Sequence, residues 1–155
     1  MKRSAGILMY RIRGGAVEVL LVHPGGPFWA KKDLGAWSIP KGECGSDEDP
    51  LDTARRELEE ETGIRPGGPL VPLASVRHPS GKEVLAWAAE GDADPTTIRS
   101  NTFVMEWPPR SGRKAEFPEV DRAGWFAIEV ARQKIVKGQI ALLDQLEQIL
   151  GRGSD

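Results

Sequence analysis

Between Gly42 and Ile64 the chain reads GECGSDEDPLDTARRELEEETGI, and the second half of that stretch carries its own start and stop signals for a helix. Asp49 suits the capping position, where a short carboxylate accepts from free amides. Pro50 suits the first helical residue, and Gly63 the left-handed residue that ends a helix. The pattern predicts a helix over about Pro50 to Thr62. At about 100° per residue, Glu57, Glu60 and Glu61 fall within roughly a 100° arc, while Leu51, Ala54 and Leu58 form an apolar stripe beside it. One face is core and the next is acid. Carboxylates held that close repel and raise one another's pKa values unless a cation of high charge density sits between them, for which Mg²⁺ or Mn²⁺ is the natural filling. Arg56, one turn before Glu60, offsets part of the repulsion, and Glu48 can reach back to it. Arg56 reads as an orienting residue and not as a ligand.

Most glutamate-rich helices are solvated faces laced with salt bridges, and Glu59 to Glu61 alone do not raise this one above that. The wider pattern does. Gly42, Glu48, Arg56, Glu57, Leu58, Glu60, Glu61, Gly63 and Ile64 match, position for position, the signature of the Nudix hydrolases, which this 23-residue stretch of the 155-residue chain closely resembles. The resemblance implies an α/β Nudix fold, a mixed β-sheet sandwiched between helices. It also implies a loop, helix and loop that bind divalent metal and cleave a nucleoside diphosphate linked to another group. Carried over by position, Glu57, Glu60 and Glu61 are the implied metal ligands, the Gly42 carbonyl can join them, and Glu48 with Arg56 braces the loop.

Composition narrows the partners. A length of 155 residues with 39% hydrophobic residues suits one domain with a real core, expected over residues 1–150 with a short free tail over 151–155. A formal charge of −2 offers no broad cationic surface for duplex nucleic acid, so a small nucleotide substrate fits better. Cys44 is the sole cysteine, which excludes an internal disulfide and is compatible with a reducing cytoplasm. Ala5 to Tyr10 is too brief for a signal-peptide core, and no run approaches membrane length. A soluble, unexported protein is expected, and monomer and homodimer are both open.

Along the chain, Ser4 to Ile12 and Ala16 to His23 are apolar β-prone runs separated by Arg13, Gly14 and Gly15, which predicts a hairpin. Pro24 to Pro40 reads as loop. Trp29 and Trp37 in it can stack on a purine or plug the edge of the core, and Lys31, Lys32 or Lys41 can meet phosphate charge, Lys41 foremost because it precedes Gly42. Leu70 to Val76, Val84 to Ala89 and Thr102 to Trp107 read as strands. His78 sits in a turn beside Pro79 and can serve as a base, against the commoner case of a loop histidine that is just solvated. Pro108 to Pro118 reads as a second loop, whose Arg110, Arg113 and Lys114 can close over a polyphosphate or equally serve ordinary loop solubility. In Nudix enzymes an acidic residue shortly before a Trp-Phe strand often returns to the metal site as ligand or base. Glu119 matches that place best and Glu116 second, so the base is either Glu57 or Glu119. Glu129 to Leu150 predicts two helices, or one kinked at Gly138.

Substrate stays open at this stage. Trp37, Pro40, Lys41 and Gly42 resemble the W-x-x-P-K-G lead-in of family members that cut diadenosine polyphosphates, although no tyrosine follows where that class would carry one. A nucleoside triphosphate, oxidised or not, suits the chain equally. Pro79, fifteen residues beyond Ile64, stands where ADP-ribose-cleaving members carry a proline, which keeps an ADP-ribose or nucleotide-sugar pyrophosphatase as an alternative. A non-catalytic nucleotide-sensing module is the alternative of another class.

Overall fold

The computed structural model describes residues 3–78 and 80–151, so Pro79 and tail residues 152–155 lie outside the described residues. In chain order the elements are β1 (Arg3–Arg13), β2 (Ala16–Pro24), β3 (Lys41–Glu43), α1 (Pro50–Thr62), β4 (Val71–Pro72), β5 (Val76–Arg77) and β6 (Glu83–Glu90). They continue with β7 (Thr102–Glu106), β8 (Lys114–Pro118), β9 (Val120–Ala127), α2 (Ile128–Lys134) and α3 (Ile140–Ile149), with short 3-10 turns at Pro95–Thr97 and Lys137–Gln139.

Gly14 and Gly15 join β1 to β2 at φ 57° and 81°, a pair of left-handed residues whose turn twists with the strands it connects. The main sheet runs β4-β6-β1-β2-β9, with β3 also on β1 and β5 on β6. β1 and β6 are parallel and the other pairs antiparallel, so the sheet is mixed. Side chains alternate between its faces. Ile7, Met9 and Leu20 pack on Ala54 and Leu58 of α1, while Leu8, Val19 and Leu21 pack on Ala131, Ile135, Leu142, Leu143 and Leu146 behind α2 and α3. Central strands covered on both faces explain why β1 and β2 read as near-continuous apolar runs. No described helix is long and apolar enough to cross a membrane.

Three expectations change. Leu70 to Val76 is not one strand, because the Gln145 side chain from α3 donates to Ala74 O at 3.0 Å and accepts from Ala74 N at 2.6 Å, occupying the sites a sheet partner would use. The loop expected over Pro108 to Pro118 is loop only to Arg113. Lys114–Pro118 forms β8, pairing with β7 in a separate two-stranded sheet; its alternating polar residues face outward and give no apolar signal. Lys41 and Gly42, expected in a loop, form β3 against Gly6 and Ala5. The C-terminal segment does divide into two helices. Between them Val136 N donates to Trp37 O at 2.8 Å, and a Cβ on Gly138 would meet His78 Cδ2 at 3.4 Å.

Leu58 is fully buried where α1 meets the sheet. Leu58→Ala is expected to cost about 2–5 kcal/mol, read as a lower urea midpoint at unchanged m value. A loss well below that range would mean another contact seats α1.

Candidate active site

The loop before α1 is tied to the helix by charge. Glu48 receives Arg56 Nε on Oε2 and Arg56 Nη2 on Oε1, both at 2.9 Å, with Thr53 Oγ1 donating at 2.7 Å. This forked pairing holds the Glu48 carboxyl down at about 2, Arg56 being the main cause and the Thr53 hydroxyl the next. Asp49 Oδ1 accepts from Leu51 N at 3.3 Å, Pro50 opens α1, and Gly63 closes it at φ 77° with its N–H on Glu59 O at 2.7 Å. Arg56 also donates to Glu60 at 3.0 Å and Glu57 at 3.2 Å, so one guanidinium orients three carboxylates.

Opposite α1, β3 brings Gly42 against Glu57. A Cβ at position 42 would lie 2.1 Å from the Glu57 carboxyl carbon, so the missing side chain is the space the carboxylate occupies. Glu57 and Glu61 are both buried. Burial is the first cause raising each pKa. Glu61 is pushed up further by the Glu57 charge, and Glu57 by those of Glu60 and Glu119. Lys41, half-buried beside them, is lowered by burial and then by Lys82, against the pull of Glu61 and Glu57.

Among the described residues no three acidic, histidine or cysteine side chains converge into a closed cage. Glu57 and Glu61 lie against each other, with Glu61 lining the cleft, while Glu60, like Glu57, accepts from Arg56. The donor set still fits a divalent cation: hard carboxylate oxygens, buried, mutually repelling, in a cradle that a Cβ would fill.

Glu119 faces this helix because two backbone bonds hold it there. Asn101 N donates to Glu60 O at 3.0 Å, and Glu119 N donates to Asn101 O at 2.8 Å. The cleft between them, about 360 Å³, is lined by Lys41, Glu61, His78, Glu119, Trp29 and Gln139 over an apolar wall that includes Val22, Ile39 and Val136. Glu116, the second candidate for the acidic position, points to solvent on β8.

A NUDIX domain family model matches residues 1–146. The chain belongs to the NUDIX domain family. It is similar to the RNA pyrophosphohydrolase of Bartonella henselae at 38% identity over 68 residues, which is 41% of this chain and 36% of that relative's length. Among solved structures, the NUDIX chain shares its fold with a binary complex of the C. elegans Ap4A hydrolase (TM-score 0.69, 23% identity, 97% of this chain and 98% of that one). It also shares it with the NUDIX domain of Shewanella oneidensis NrtR complexed with ADP ribose (TM-score 0.66, 18% identity, 96% and 87%).

Two residues singled out as substrate-binding lie outside the NUDIX cleft. Trp37 is core: it is 4% exposed, edge-on to Phe126 and His23, and its indole N–H donates to Asp33 at 2.8 Å. Its size and a ready acceptor draw it inward, which corrects its placement on the substrate wall. Arg110 sits at φ 63° in the β7–β8 turn, the end of that hairpin away from Glu119. Gln139 was not legible in the sequence. Fully buried, it accepts from Ile39 N and donates to Ser38 Oγ, both at 3.0 Å, and so fixes the segment leading into β3.

Gly42→Ala is expected to leave the far-UV spectrum unchanged and weaken a Mg²⁺-dependent thermal shift at least roughly tenfold in midpoint concentration, since Glu57 must vacate its place. Unaltered metal response would disprove the cradle. The pH dependence has two signs. The lowered Glu48 carboxyl contributes stability that is complete above its ordinary 4.5 and is lost as pH falls towards about 2. For Glu57 and Glu61 the folded chain keeps protons that the unfolded chain releases, so without metal stability falls as pH rises above that ordinary value. Metal-free Tm should decline from about pH 5 to about pH 8, and Glu61→Gln should flatten the decline.

Proposed function

We propose that this NUDIX chain is a divalent-metal-dependent pyrophosphohydrolase that breaks a phosphoanhydride bond of a nucleoside polyphosphate. One observation carries the reading: two buried, adjoining carboxylates, Glu57 and Glu61, the first of them seated in a space that only glycine at position 42 leaves open. Carboxylates so placed cost stability by themselves and gain from a cation of high charge density. Glu57 and Glu61 would hold Mg²⁺ or Mn²⁺, with Glu60 and the Gly42 carbonyl as further donors. When bound there, such an ion neutralises phosphate oxygens and lowers the pKa of water.

The chain's own groups do the rest. Lys41 meets the phosphates from β3; as an anion arrives, its charged form, disfavoured by burial, becomes favoured. Glu119 is the proton acceptor for the attacking water. It lines the cleft opposite α1, and its charge is felt by both Glu57 and Glu61. Arg56, anchored on Glu48, orients the α1 carboxylates and competes for Glu60. Trp29 offers a ring at the mouth of the cleft for the base. The names of the similar proteins, an RNA pyrophosphohydrolase and an Ap4A hydrolase, support substrates with phosphates linked in a chain. The NrtR NUDIX domain complexed with ADP ribose supports a second reading, in which an ADP-ribose-type diphosphate fills the same cleft.

A panel of nucleoside triphosphates, dinucleoside polyphosphates and ADP-ribose, assayed with Mg²⁺ and chromatographic identification of products, tests both readings. Glu61→Gln and Glu119→Gln are each expected to lower kcat by about 10²-fold or more with the fold intact. Full turnover by either variant rejects its assignment, and binding without turnover by the parent chain would make it a sensor.

A further inference from the structure

An aromatic and cationic face runs from the cleft along the β7–β8 hairpin. Phe103 stands across from Phe117 and Met105 from Ala115, so these four share one side of the hairpin. That side faces the loop after β2, because a Cβ on Gly26 would touch the Phe103 ring at 3.0 Å, and Phe28 packs edge-on to Trp107 with centroids 5.5 Å apart. Trp107 N donates to Arg113 O at 2.9 Å, which sets Arg113 directly across from Trp107. Arg113 and its neighbour Lys114 make no ion pair among the described residues. Phe28 is 60% exposed, and it immediately precedes Trp29, which lines the cleft. A large ring left that open, packed on a second ring whose backbone pairs with that of Arg113, is poor packing for a loop and good packing for a nucleobase with a phosphate beside it.

We propose that Phe28 and Trp107 form a second base-stacking subsite, with Arg113 meeting the adjacent phosphate, so that the preferred substrate carries a second nucleobase beyond the one in the cleft. This rests on the pyrophosphohydrolase reading and narrows its substrate class. A second base with a neighbouring phosphate occurs both in a dinucleoside polyphosphate and at the 5′ end of a single-stranded oligonucleotide. Both present the same chemistry, a second base with a phosphate beside it, and the test separates them.

The test compares ATP, diadenosine tetraphosphate and the 5′-triphosphorylated dinucleotide pppApA on the full chain and on Phe28→Ala, Phe28→Tyr, Trp107→Ala and Arg113→Ala. Loss of the stacking ring should raise KM for a two-base substrate roughly five- to a hundredfold, with kcat and the KM for ATP changed less than about twofold. Phe28→Tyr should retain parent values. An Arg113→Ala effect on pppApA alone identifies the oligonucleotide, and an equal effect on diadenosine tetraphosphate identifies the dinucleoside. Unchanged KM for both two-base substrates, or parallel losses that include ATP, overturns the subsite. If the parent chain hydrolyses none of the three, the pyrophosphohydrolase reading fails by itself. Calorimetric affinities of the same ligands then decide the subsite, and equal affinity of parent and Phe28→Ala for pppApA refutes it.

Discussion

Two carboxylates, Glu57 and Glu61, are kept out of water and side by side, and much of the surrounding structure exists to make that tolerable. Their repulsion and desolvation work against folding. The compensation is local. The apolar stripe of α1 is seated on Ile7, Met9 and Leu20, Arg56 spreads positive charge over the outer carboxylates, and Glu48 fixes Arg56 in turn. A cation between the two buried groups would offset their repulsion. Geometry, burial and charge therefore all point to one kind of chemistry at one end of the sheet.

The mixed sheet serves this by supplying two fixed edges to one cleft. β3 on β1 delivers Lys41 and Gly42, while the passage from β8 to β9 delivers Glu119, held through Asn101 to the carbonyl of Glu60. The helices behind the other face contribute less directly. Their connection pairs with the backbone of Trp37, and Gln139 spans Ile39 and Ser38. The floor of the cleft is thereby pinned from the side opposite α1. His23 adds a further tie, its ring nitrogens lying 2.8 Å from Asp121 and 2.6 Å from the Lys32 carbonyl, which joins the aromatic loop to β9 close to Glu119.

What could be read in advance follows the range of the forces concerned. Asp49, Pro50 and Gly63 act within a turn of their own positions, so the bounds of α1 were plain, as was the Gly14–Gly15 turn. Glu48 and Arg56 sit eight residues apart on one loop and helix and find each other by local geometry. The β8 strand was hidden because its polar alternation resembles a loop, and only β7 shows otherwise. Trp37 and Trp29 were indistinguishable as letters; one meets Phe126, His23 and Asp33 and is buried, while the other meets the cleft.

The sequence by itself determined the helix, its caps and the acidic face with its guanidinium brace. These depend on spacing along the chain, which covalent geometry translates directly into contacts. The tertiary structure alone decided that Glu57 fills the space left by Gly42 while Glu61 lines the cleft, that Glu119 and not Glu116 lines the opposite wall, and that Phe28 and Trp107 meet. Each of those joins segments brought together by sheet pairing, and the partners of a strand are chosen by register and burial across the whole fold, which no local run of residues encodes.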